Sequence, residues 1–499
     1  MLLLIHLYFI LYKSNIYCIL TNKAMKPEAA LYVKNQLARA SDRLKHYVES
    51  PGWTYAKRPG FYRIDKYIRD FLGGERESRW VIIPGLRGVG KTTVLAQLFF
   101  KCKKALKDKH VLYISVDDIV TAGLTLSEVL EEYERILGKS FEAQSNPVIL
   151  FIDEVQQDKK WAAVLKSMYD KARNVFVVCT GSSAVQLQTN ADVARRGIFE
   201  KLYPLNFSEY EMLKRNKFPE PRLKQSIKDA IYDSSSASEV HTRLGMLDRK
   251  IATQWAKFEE NDLDEFLSTG TLPFTFRAQD VNIHERIGRL IDRMIAKDIP
   301  EMGKFDLKTL AVIKKLLFIM ADSNDGFSIN KASSILGIER ITLTAVLDAL
   351  EKAEIIIRIP PHGSSAVAVR KPSKYLFMSP AIRMSLLSIT GLDETFLARK
   401  GKLLEDVSAL HFYREFVSSG AGGLTYDTAG AGADFILQIT NKKQIAIEIG
   451  MGDKDFSQVK NTMDKVRCDY GLIFCASNAI NLSEKDNIIK IPHRYFLLM

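Results

Sequence analysis

The chain has 499 residues, with 71 lysine and arginine residues against 59 aspartate and glutamate residues, so its formal net charge is +12. At about 150 residues per domain, this length predicts about three domains. Apolar residues make up 46% of the sequence and charged residues 26%, a balance that excludes a disordered, collagen-like or polytopic membrane chain. The positive charge indicates a polyanionic partner, without choosing between nucleotides, nucleic acid and an anionic membrane surface.

An apolar leader occupies residues 1–24 and begins MLLLIHLYFILYKSNIYCIL. A span of about twenty apolar residues crosses a bilayer, but polar residues at positions 6 and 13–15 interrupt this one. It also lacks a preceding basic segment and a following small-residue cleavage site. Three interpretations stay open: a gene start placed too far upstream with Met25 as the first residue, a membrane anchor, or a buried helix. A membrane partner is expected only if the leader is translated.

Cysteines stand at positions 18, 102, 179, 468 and 475, without a C-x-x-C pair. This odd number and spacing predict neither a disulfide framework nor a zinc ribbon. Reduced thiols in a cytoplasmic protein are expected instead.

An α/β domain is predicted over residues 60–210, after an N-terminal helix and loop at 25–59. Short apolar runs alternate there with longer helical stretches. The runs are WVIIPG, HVLYISVDD, PVILFIDE and NVFVVCTGSS. Each is closed by Gly, Asp or Ser, which is typical of parallel strands buried on both faces with crossover helices between them.

The strongest motif is GLRGVGKTT at residues 85–93, which fits G-x-x-x-x-G-K-[ST] between a predicted strand and a predicted helix. Glycines let successive backbone N–H groups wrap phosphates at a helix N-terminus. We expect Lys91 to reach the β- and γ-phosphates and the Thr92 hydroxyl to bind Mg²⁺. The predicted nucleotide-binding residues of the loop are Gly85, Arg87, Gly88, Val89, Gly90, Lys91, Thr92 and Thr93.

Two further strand ends carry candidate residues. After the strand VILFI, Asp153 is expected to hold Mg²⁺ through water, and Glu154 to orient and deprotonate the attacking water. The next strand ends in Gly181-Ser182-Ser183, where Ser182 is predicted to contact the γ-phosphate or the water. A helix N-cap is the alternative role for either serine.

Arg195 and Arg196 follow shortly after this third strand. A guanidinium at a chain edge can neutralise transition-state charge in a neighbouring subunit, so both are candidate catalytic residues. A solvated surface role is the alternative for each.

Together these elements resemble prokaryotic AAA-type P-loop ATPases that carry a winged helix and a C-terminal restriction-endonuclease-like domain. The resemblance covers most of residues 60–499. It rests on GLRGVGKTT at 85–93, YISVDD at 113–118, LFIDEVQQDKKW at 150–161, CTGSSAVQL at 179–187, ARRGIFEKLYPLNFSEY at 194–210 and TGTLPFTF at 269–276. It implies an ATP-binding, Mg²⁺-dependent ATPase in which Lys91, Thr92, Asp153 and Glu154 take the Walker A and Walker B roles.

A lid-like helical region is expected at 211–300, and a winged helix-turn-helix at 301–385. In the latter, three helices followed by a two-strand pattern are predicted over FDLKTLAVIKKLLFIMAD, SINKASSILG, ERITLTAVLDALEKAEII and VAVRKPSKYLFMS. The candidate recognition helix runs from Ile338 toward Lys352. Its later turns are acidic, whereas the wing candidate PPHGSSAVAVRKPSK is basic, so DNA binding and protein contact both stay open.

From about residue 400, the sequence predicts the helix GKLLEDVSALHFYREFV, a glycine-rich turn at 420–432 and the strands DFILQIT and QIAIEI. The region 395–499 resembles a small α/β nuclease-like domain. Its three candidate metal-binding carboxylates are Glu405, Asp434 and Glu448. Active members carry Lys two residues after the last carboxylate, where this chain has Gly450. The domain is therefore expected to be degenerate and nuclease activity absent, unless Lys454 or Lys460 replaces the missing cation.

These observations predict an ATPase that hydrolyses ATP slowly with Mg²⁺ and acts as a switch or motor together with nucleic acid, for which DNA is the candidate. The alternative is a nucleotide-dependent signalling or scaffold switch that controls protein partners without binding DNA. A homo-oligomer or a protein partner is expected in both cases.

Overall fold

The computed structural model describes residues 26–181, 191–277, 282–323, 327–388, 395–428, 430–439, 443–452 and 454–499. The leader and Ser182 lie outside these residues. Across the part of the chain that is described, no helix is both long and apolar enough to span a bilayer.

A parallel sheet organises the first part of the chain. Its elements are α1 (Pro27–Val48), β1 (Glu49–Ser50), β2 (Trp53–Thr54), α2 (Pro59–Leu72), β3 (Trp80–Pro84), α3 (Lys91–Ala105), β4 (Val111–Ser115), α4 (Val116–Thr121), α5 (Leu126–Leu137), β5 (Val148–Asp153), α6 (Trp161–Lys171), β6 (Val175–Gly181), α7 (Ala191–Ala194) and β7 (Ile198–Phe199). The five described strands pair in parallel in the order β4-β5-β6-β3-β7. The predicted P-loop NTPase sheet is confirmed, and the structure adds the short strand β7.

Burial on both faces explains why these strands read as continuous apolar runs. Residues 148–152 of β5 are each 0% exposed, because helices cover the sheet on both sides. The carboxyl ends of the parallel strands lie at one edge, where the phosphate loop and the Asp153-Glu154 pair also stand.

Helices dominate the middle of the chain. Its elements are α8 (Phe207–Arg215), α9 (Leu223–Tyr232), α10 (Ala237–Trp255), α11 (Asp262–Glu265), α12 (Ile283–Arg293), α13 (Ile299–Met302), α14 (Leu307–Asp322), α15 (Ile329–Leu336), α16 (Arg340–Lys352), β8 (Ile356–Ile359), α17 (Ser365–Arg370), β9 (Lys374–Phe377) and α18 (Pro380–Ser388). Helices α14 to α16 followed by the antiparallel pair β8 and β9 give the element order predicted for the winged helix.

One part of that prediction is wrong. In VAVRKPSKYLFMS only KYLF forms a strand, whereas the preceding residues form helix α17. The N–H of Val367 donates to the carbonyl of Ser364, and the N–H of Lys371 donates to that of Val367. These local bonds satisfy backbone groups that a strand would have to pair elsewhere.

A second, mixed sheet forms the C-terminal part. Its elements are α19 (Thr395–Phe412), β10 (Gly422–Thr425), β11 (Phe435–Ile439), β12 (Gln444–Ile449), α20 (Ser457–Lys465), β13 (Tyr470–Cys475), β14 (Asn481–Ser483), β15 (Ile488–Pro492) and α21 (His493–Leu497). The described strands lie in the order β10-β11-β12-β13-β15-β14, with parallel pairing of β12, β13 and β15. Strand β10 falls within 420–432, which we predicted to be a turn. A side chain at Gly422 would collide with the carbonyl of Gln438, so this glycine permits close strand pairing.

The apolar cores cross the predicted domain boundaries. One core contains side chains from the first sheet and from helices α12, α14, α15, α16 and α18, and another joins α8 to α10 with the C-terminal sheet. The boundaries at 211, 301 and 395 stay predictions.

A buried ion pair fixes the region where α18, α19, α14 and β9 meet. Arg383 and Asp406 are 1% and 0% exposed, and the guanidinium donates from Nε and Nη2 to the carboxylate at 2.6 and 2.8 Å. Arg383 Nη1 also donates to the carbonyls of Met320 and Ala321, while Asp406 accepts from the N–H of Phe377. Neither charge has water available as a substitute partner.

Replacing Asp406 with Ala should lower the free energy of unfolding by about 3–5 kcal/mol, because it leaves a buried guanidinium unpaired. The control is Asp348→Ala, which removes an exposed pair with Arg358 and should cost less than about 1 kcal/mol. Urea denaturation followed by circular dichroism measures both changes. Equal losses in the two variants would contradict this account.

Candidate functional site

The phosphate loop, residues 85–90, connects β3 with α3 and has little space around it. A side chain at Gly85 would collide with the carbonyl of Leu202, which runs beside the loop. Gly88 has a φ of +84°, and a Cβ there would lie 2.6 Å from the ring of Phe274. Both positions therefore require glycine, for close approach in one case and for backbone conformation in the other.

Lys91 begins helix α3, and its side chain folds back over the loop. The ammonium donates to the carbonyls of Gly85 at 2.8 Å and Leu86 at 3.2 Å, and the residue is only 5% exposed. Burial lowers the pKa of Lys91, although Glu154 and Asp153 act in the opposite direction. The ammonium thus has carbonyl partners inside the loop, at a helix N-terminus that favours anions.

Asp153 ends strand β5 within a cluster of hydroxyl groups. Its Oδ2 accepts from Thr92 at 2.9 Å and from Tyr113 at 3.2 Å, and its Oδ1 accepts from Thr180. Burial, together with the neighbouring Glu154, raises the pKa of Asp153. A carboxylate and a hydroxyl are the oxygen ligands that Mg²⁺ prefers, and a cation here would offset the cost of burying the charge.

Glu154 follows in a left-handed backbone conformation, with φ of 55° and ψ of 48°. Its N–H donates to the hydroxyl of Thr180 at 3.0 Å, which holds this unfavourable conformation in place. Burial opposes ionisation of Glu154, but Lys91 and Arg87 outweigh it and lower the pKa. An ionised carboxylate next to a lysine and a predicted magnesium ligand suits a general base.

Arg87, inside the loop, forms a bidentate ion pair with Asp298 at 2.8 and 2.9 Å. Both residues are buried, and Arg87 Nη1 also lies 3.9 Å from the carboxylate of Glu154. Asp298 lies in the helical segment just before α13. The phosphate loop is therefore tied directly to the region that follows the first sheet.

The remaining predicted site residues are placed as follows. Val89 is fully buried, and its carbonyl accepts from Arg58 at 2.8 Å. Thr93 lies half-buried in the first turn of α3. Arg196 donates to both oxygens of Asp170, at 2.7 and 3.0 Å, whereas Arg195 is exposed. Their roles, like that of Ser182, stay predictions.

Several partners of this site escaped the sequence analysis. Thr180 could have been predicted from the sequence, because it stands at the end of one predicted parallel strand and Asp153 at the end of another. In the structure these two strands are neighbours, and the pairing of Ile152 with Cys179 places Thr180 beside Asp153. Asp298 and Phe274 could not have been predicted in this way, since each reaches the loop only through tertiary packing.

Two family models match the chain. Residues 77–211 match an AAA domain, which contains the phosphate loop and both strand-end carboxylates. Residues 260–393 match DUF8612, a domain of unknown function that spans α11 to α18.

A relative matches nearly the whole chain. The uncharacterised protein MJ1637 of Methanocaldococcus jannaschii is 32% identical over 440 residues, which is 88% of this chain and 87% of MJ1637. The chain belongs to the MJ1637 family. A second protein of that organism, the uncharacterised MJ1544, is 22% identical over 383 residues, covering 75% and 76% of the two chains.

Among solved structures, the Aeropyrum pernix Orc1 protein in complex with DNA matches 70% of this chain and 95% of its own. The identity is 15% and the TM-score 0.30. A likeness that weak supports no inference about partners or function.

In this member of the MJ1637 family, three lysines form ion pairs with the candidate nuclease carboxylates of the C-terminal region. The pairs are Lys374 with Glu405 and Asp434, Lys402 with Glu405 at 2.6 Å, and Lys454 with Glu448 at 2.9 Å. Burial opposes ionisation of Glu405, yet Lys374 and Lys402 lower its pKa to about 2. Burial and Asp434 raise the pKa of Glu448 to about 7.

Lys454 fills the space left by Gly450. A Cβ at Gly450 would lie 2.5 Å from the Cγ of Lys454, whose ammonium reaches Glu448. Lys460, the other candidate, instead pairs with Asp486 at the surface. Among the residues described, no group of three or more His, Cys, Asp or Glu side chains is placed to hold a metal ion. A degenerate nuclease-like domain stays a prediction.

These carboxylates lie in an open cleft of about 1350 Å³ between the predicted winged helix and the C-terminal sheet. Its basic lining residues are Arg340, Arg358, Arg370, Lys371, Lys374, Lys402 and Lys454. Arg340 lies at the start of α16, as expected for a recognition helix. The acidic later turns are partly neutralised, because Asp348 pairs with Arg358 at 2.9 Å.

Gly85→Ala should weaken nucleotide binding at least about tenfold, since the added methyl group pushes the loop away from Leu202 and displaces the backbone that receives phosphate. The matched control is Gly245→Ala on α10, where a Cβ meets nothing within 4 Å. Titration with a fluorescent ATP analogue measures both affinities. Unchanged affinity in Gly85→Ala would show that nucleotide binds elsewhere.

Proposed function

We propose that the protein binds ATP at the phosphate loop and hydrolyses it with Mg²⁺. The observation that supports this most directly is the Lys91 ammonium, which is buried at a helix N-terminus and, among the described residues, is hydrogen-bonded only to carbonyls of its own loop. The match of residues 77–211 to an AAA domain agrees with this assignment.

In the proposed mechanism, Lys91 leaves the carbonyls of Gly85 and Leu86 and pairs with the β- and γ-phosphates. Thr92 and Asp153 would hold Mg²⁺, which would supply charge neutralisation at the phosphates. Glu154 stays ionised because Lys91 and Arg87 lower its pKa, and it accepts a proton from the attacking water.

Arg87 gives this reaction a route to the rest of the chain. Arg87 lies 3.9 Å from Glu154, the residue proposed to act at the γ-phosphate, so its guanidinium is close to where that phosphate would bind. The γ-phosphate is an anion and would compete with Asp298 for this guanidinium. Loss of the Arg87–Asp298 pair would release the segment before α13. We propose that this exchange transmits the nucleotide state to the C-terminal regions.

Lys91→Ala should abolish ATP binding, whereas Glu154→Gln should retain binding and stop turnover, because it removes only the proton acceptor. Controls are Lys104→Ala at the far end of α3 and Glu128→Gln on α5, both distant from the loop. Nucleotide titration and a phosphate-release assay give the two readouts. Unchanged turnover in both site variants would show that the site is misassigned.

We further propose that nucleic acid occupies the cleft between the predicted winged helix and the C-terminal sheet. Lys374, Lys402 and Lys454 pair with carboxylates of the cleft, and Arg358 pairs with Asp348. The other three basic residues of its lining, Arg340, Arg370 and Lys371, make no ion pair within the described chain. Arg340, at the start of α16, and Arg370, at the end of α17 between β8 and β9, are both exposed. This arrangement suits contacts with phosphate groups, which are the main source of affinity for nucleic acid.

Reversing both charges, Arg340→Glu with Arg370→Glu, should weaken binding of labelled duplex DNA at least about tenfold at low salt and reduce the salt dependence of the affinity. The control carries Arg249→Glu and Lys250→Glu on α10, two exposed reversals outside the cleft. No DNA affinity in the unaltered protein at low salt would end this proposal. Nucleotide-dependent oligomer size without DNA affinity would instead favour the scaffold switch.

A further inference from the structure

A second basic cavity lies where α2, α9 and the helical segment that follows α19 meet. It has a volume of about 420 Å³, which is within the usual range for small-ligand sites. Its charged lining, called here the anion pocket, consists of Arg58, Arg63, Lys201, Lys224, Lys228, Arg414, Glu209 and Glu415. Six of these eight groups are basic.

One carboxylate in the pocket serves two guanidinium groups. Glu209 accepts from Arg58 Nε at 3.1 Å and from Arg414 Nη1 at 3.0 Å. Burial opposes ionisation of Glu209, but Arg58 and Arg414 hold its pKa far below the ordinary value. A single negative charge therefore stands against two positive ones.

Three other basic residues of the pocket have a carboxylate each. The pairs are Lys201 with Glu354 at 2.6 Å, Arg63 with Glu200 at 2.7 Å, and Lys228 with Glu415 at 2.5 Å. Since Glu209 pairs with Arg58 and Arg414, and Glu415 with Lys228, both carboxylates that line the pocket already have a cationic partner. Neither is left to neutralise a further positive charge.

Lys224 is that further charge. Over the described part of the chain it makes no ion pair or hydrogen bond, although it lines the cavity and is partly buried. Burial, followed by the repulsion of Arg414 and Lys228, lowers its pKa to about 8. Six basic groups thus face four carboxylates, and the excess of two positive charges would be balanced by one dianion.

We propose that the anion pocket binds a small molecule carrying a phosphoryl group, at a site separate from the ATP site. A phosphoryl dianion matches the excess charge, and its oxygens match the guanidinium and ammonium donors that line the cavity.

The pocket also contacts the phosphate loop through Arg58. Besides Glu209, this guanidinium donates to the carbonyl of Val89 in the loop at 2.8 Å and to that of Tyr203 at 2.9 Å. A ligand that binds Arg58 would therefore change the hydrogen bond between Arg58 and the carbonyl of Val89, in the backbone that would hold ATP. The bound anion is accordingly assigned an effector role, and the assignment does not depend on ATP hydrolysis.

The test uses the full chain carrying Lys91→Ala, so that the phosphate loop does not contribute, and titrates inorganic pyrophosphate by calorimetry at low salt. We expect saturable binding to one site. Adding Lys224→Ala should weaken it at least about tenfold, whereas Lys250→Ala, which removes an exposed lysine of α10, should leave it unchanged.

Thermal unfolding supplies a second readout. Without pyrophosphate, Lys224→Ala should raise the melting temperature, because it removes an uncompensated positive charge; with pyrophosphate, the stabilisation seen in the parent chain should be lost. No pyrophosphate binding in the Lys91→Ala chain, equal binding after Lys224→Ala, or a lower melting temperature of that variant would each overturn the proposal.

Discussion

The buried ammonium of Lys91 is the interaction on which the first half of the structure depends. A lysine placed at the start of α3 and nearly removed from water needs partners, and in this structure they are the carbonyls of Gly85 and Leu86. The glycines of the loop, the carboxylates at the end of β5 and the Arg87–Asp298 pair all surround this charge. Among the described residues, the hydrogen bonds of this ammonium go only to neutral carbonyl oxygens. Such a cation suits a polyanion, and the motif predicts that this polyanion is the nucleotide phosphates.

Elsewhere the described part of the structure contains two kinds of buried charge cluster, those in which every charge is paired and one in which a charge is unpaired. Arg383 and Asp406 form a closed pair, and three lysines close the carboxylate cluster around Glu405, so both arrangements are complete without a ligand. The anion pocket is different, because Lys224 has no counter-charge within the described chain. Completed charge groups stabilise the fold, whereas incomplete ones mark positions for a charged ligand. Charge balance thus separates structural from binding clusters, which a count of basic residues does not do.

The sequence predicted the first sheet well because its strands are buried on both faces and the phosphate loop has a fixed spacing. It also predicted strands β11 and β12 and the helices of the predicted winged helix. It failed at β10 and α17, where glycine spacing and local hydrogen bonding override the pattern. It could not place Asp298 or Phe274 against the loop, since long-range packing leaves no periodic signal. The chain's place in the MJ1637 family rests on similarity along most of its length.

The most direct test of the central claim is a crystal structure of the Glu154→Gln chain with ATP and Mg²⁺. We predict phosphate density within residues 85–90, the Lys91 ammonium moved from the carbonyls of Gly85 and Leu86 onto the β- and γ-phosphates, and a metal ion beside Thr92 and Asp153. Nucleotide bound at another position, with Lys91 still bonded to those two carbonyls, would contradict the account.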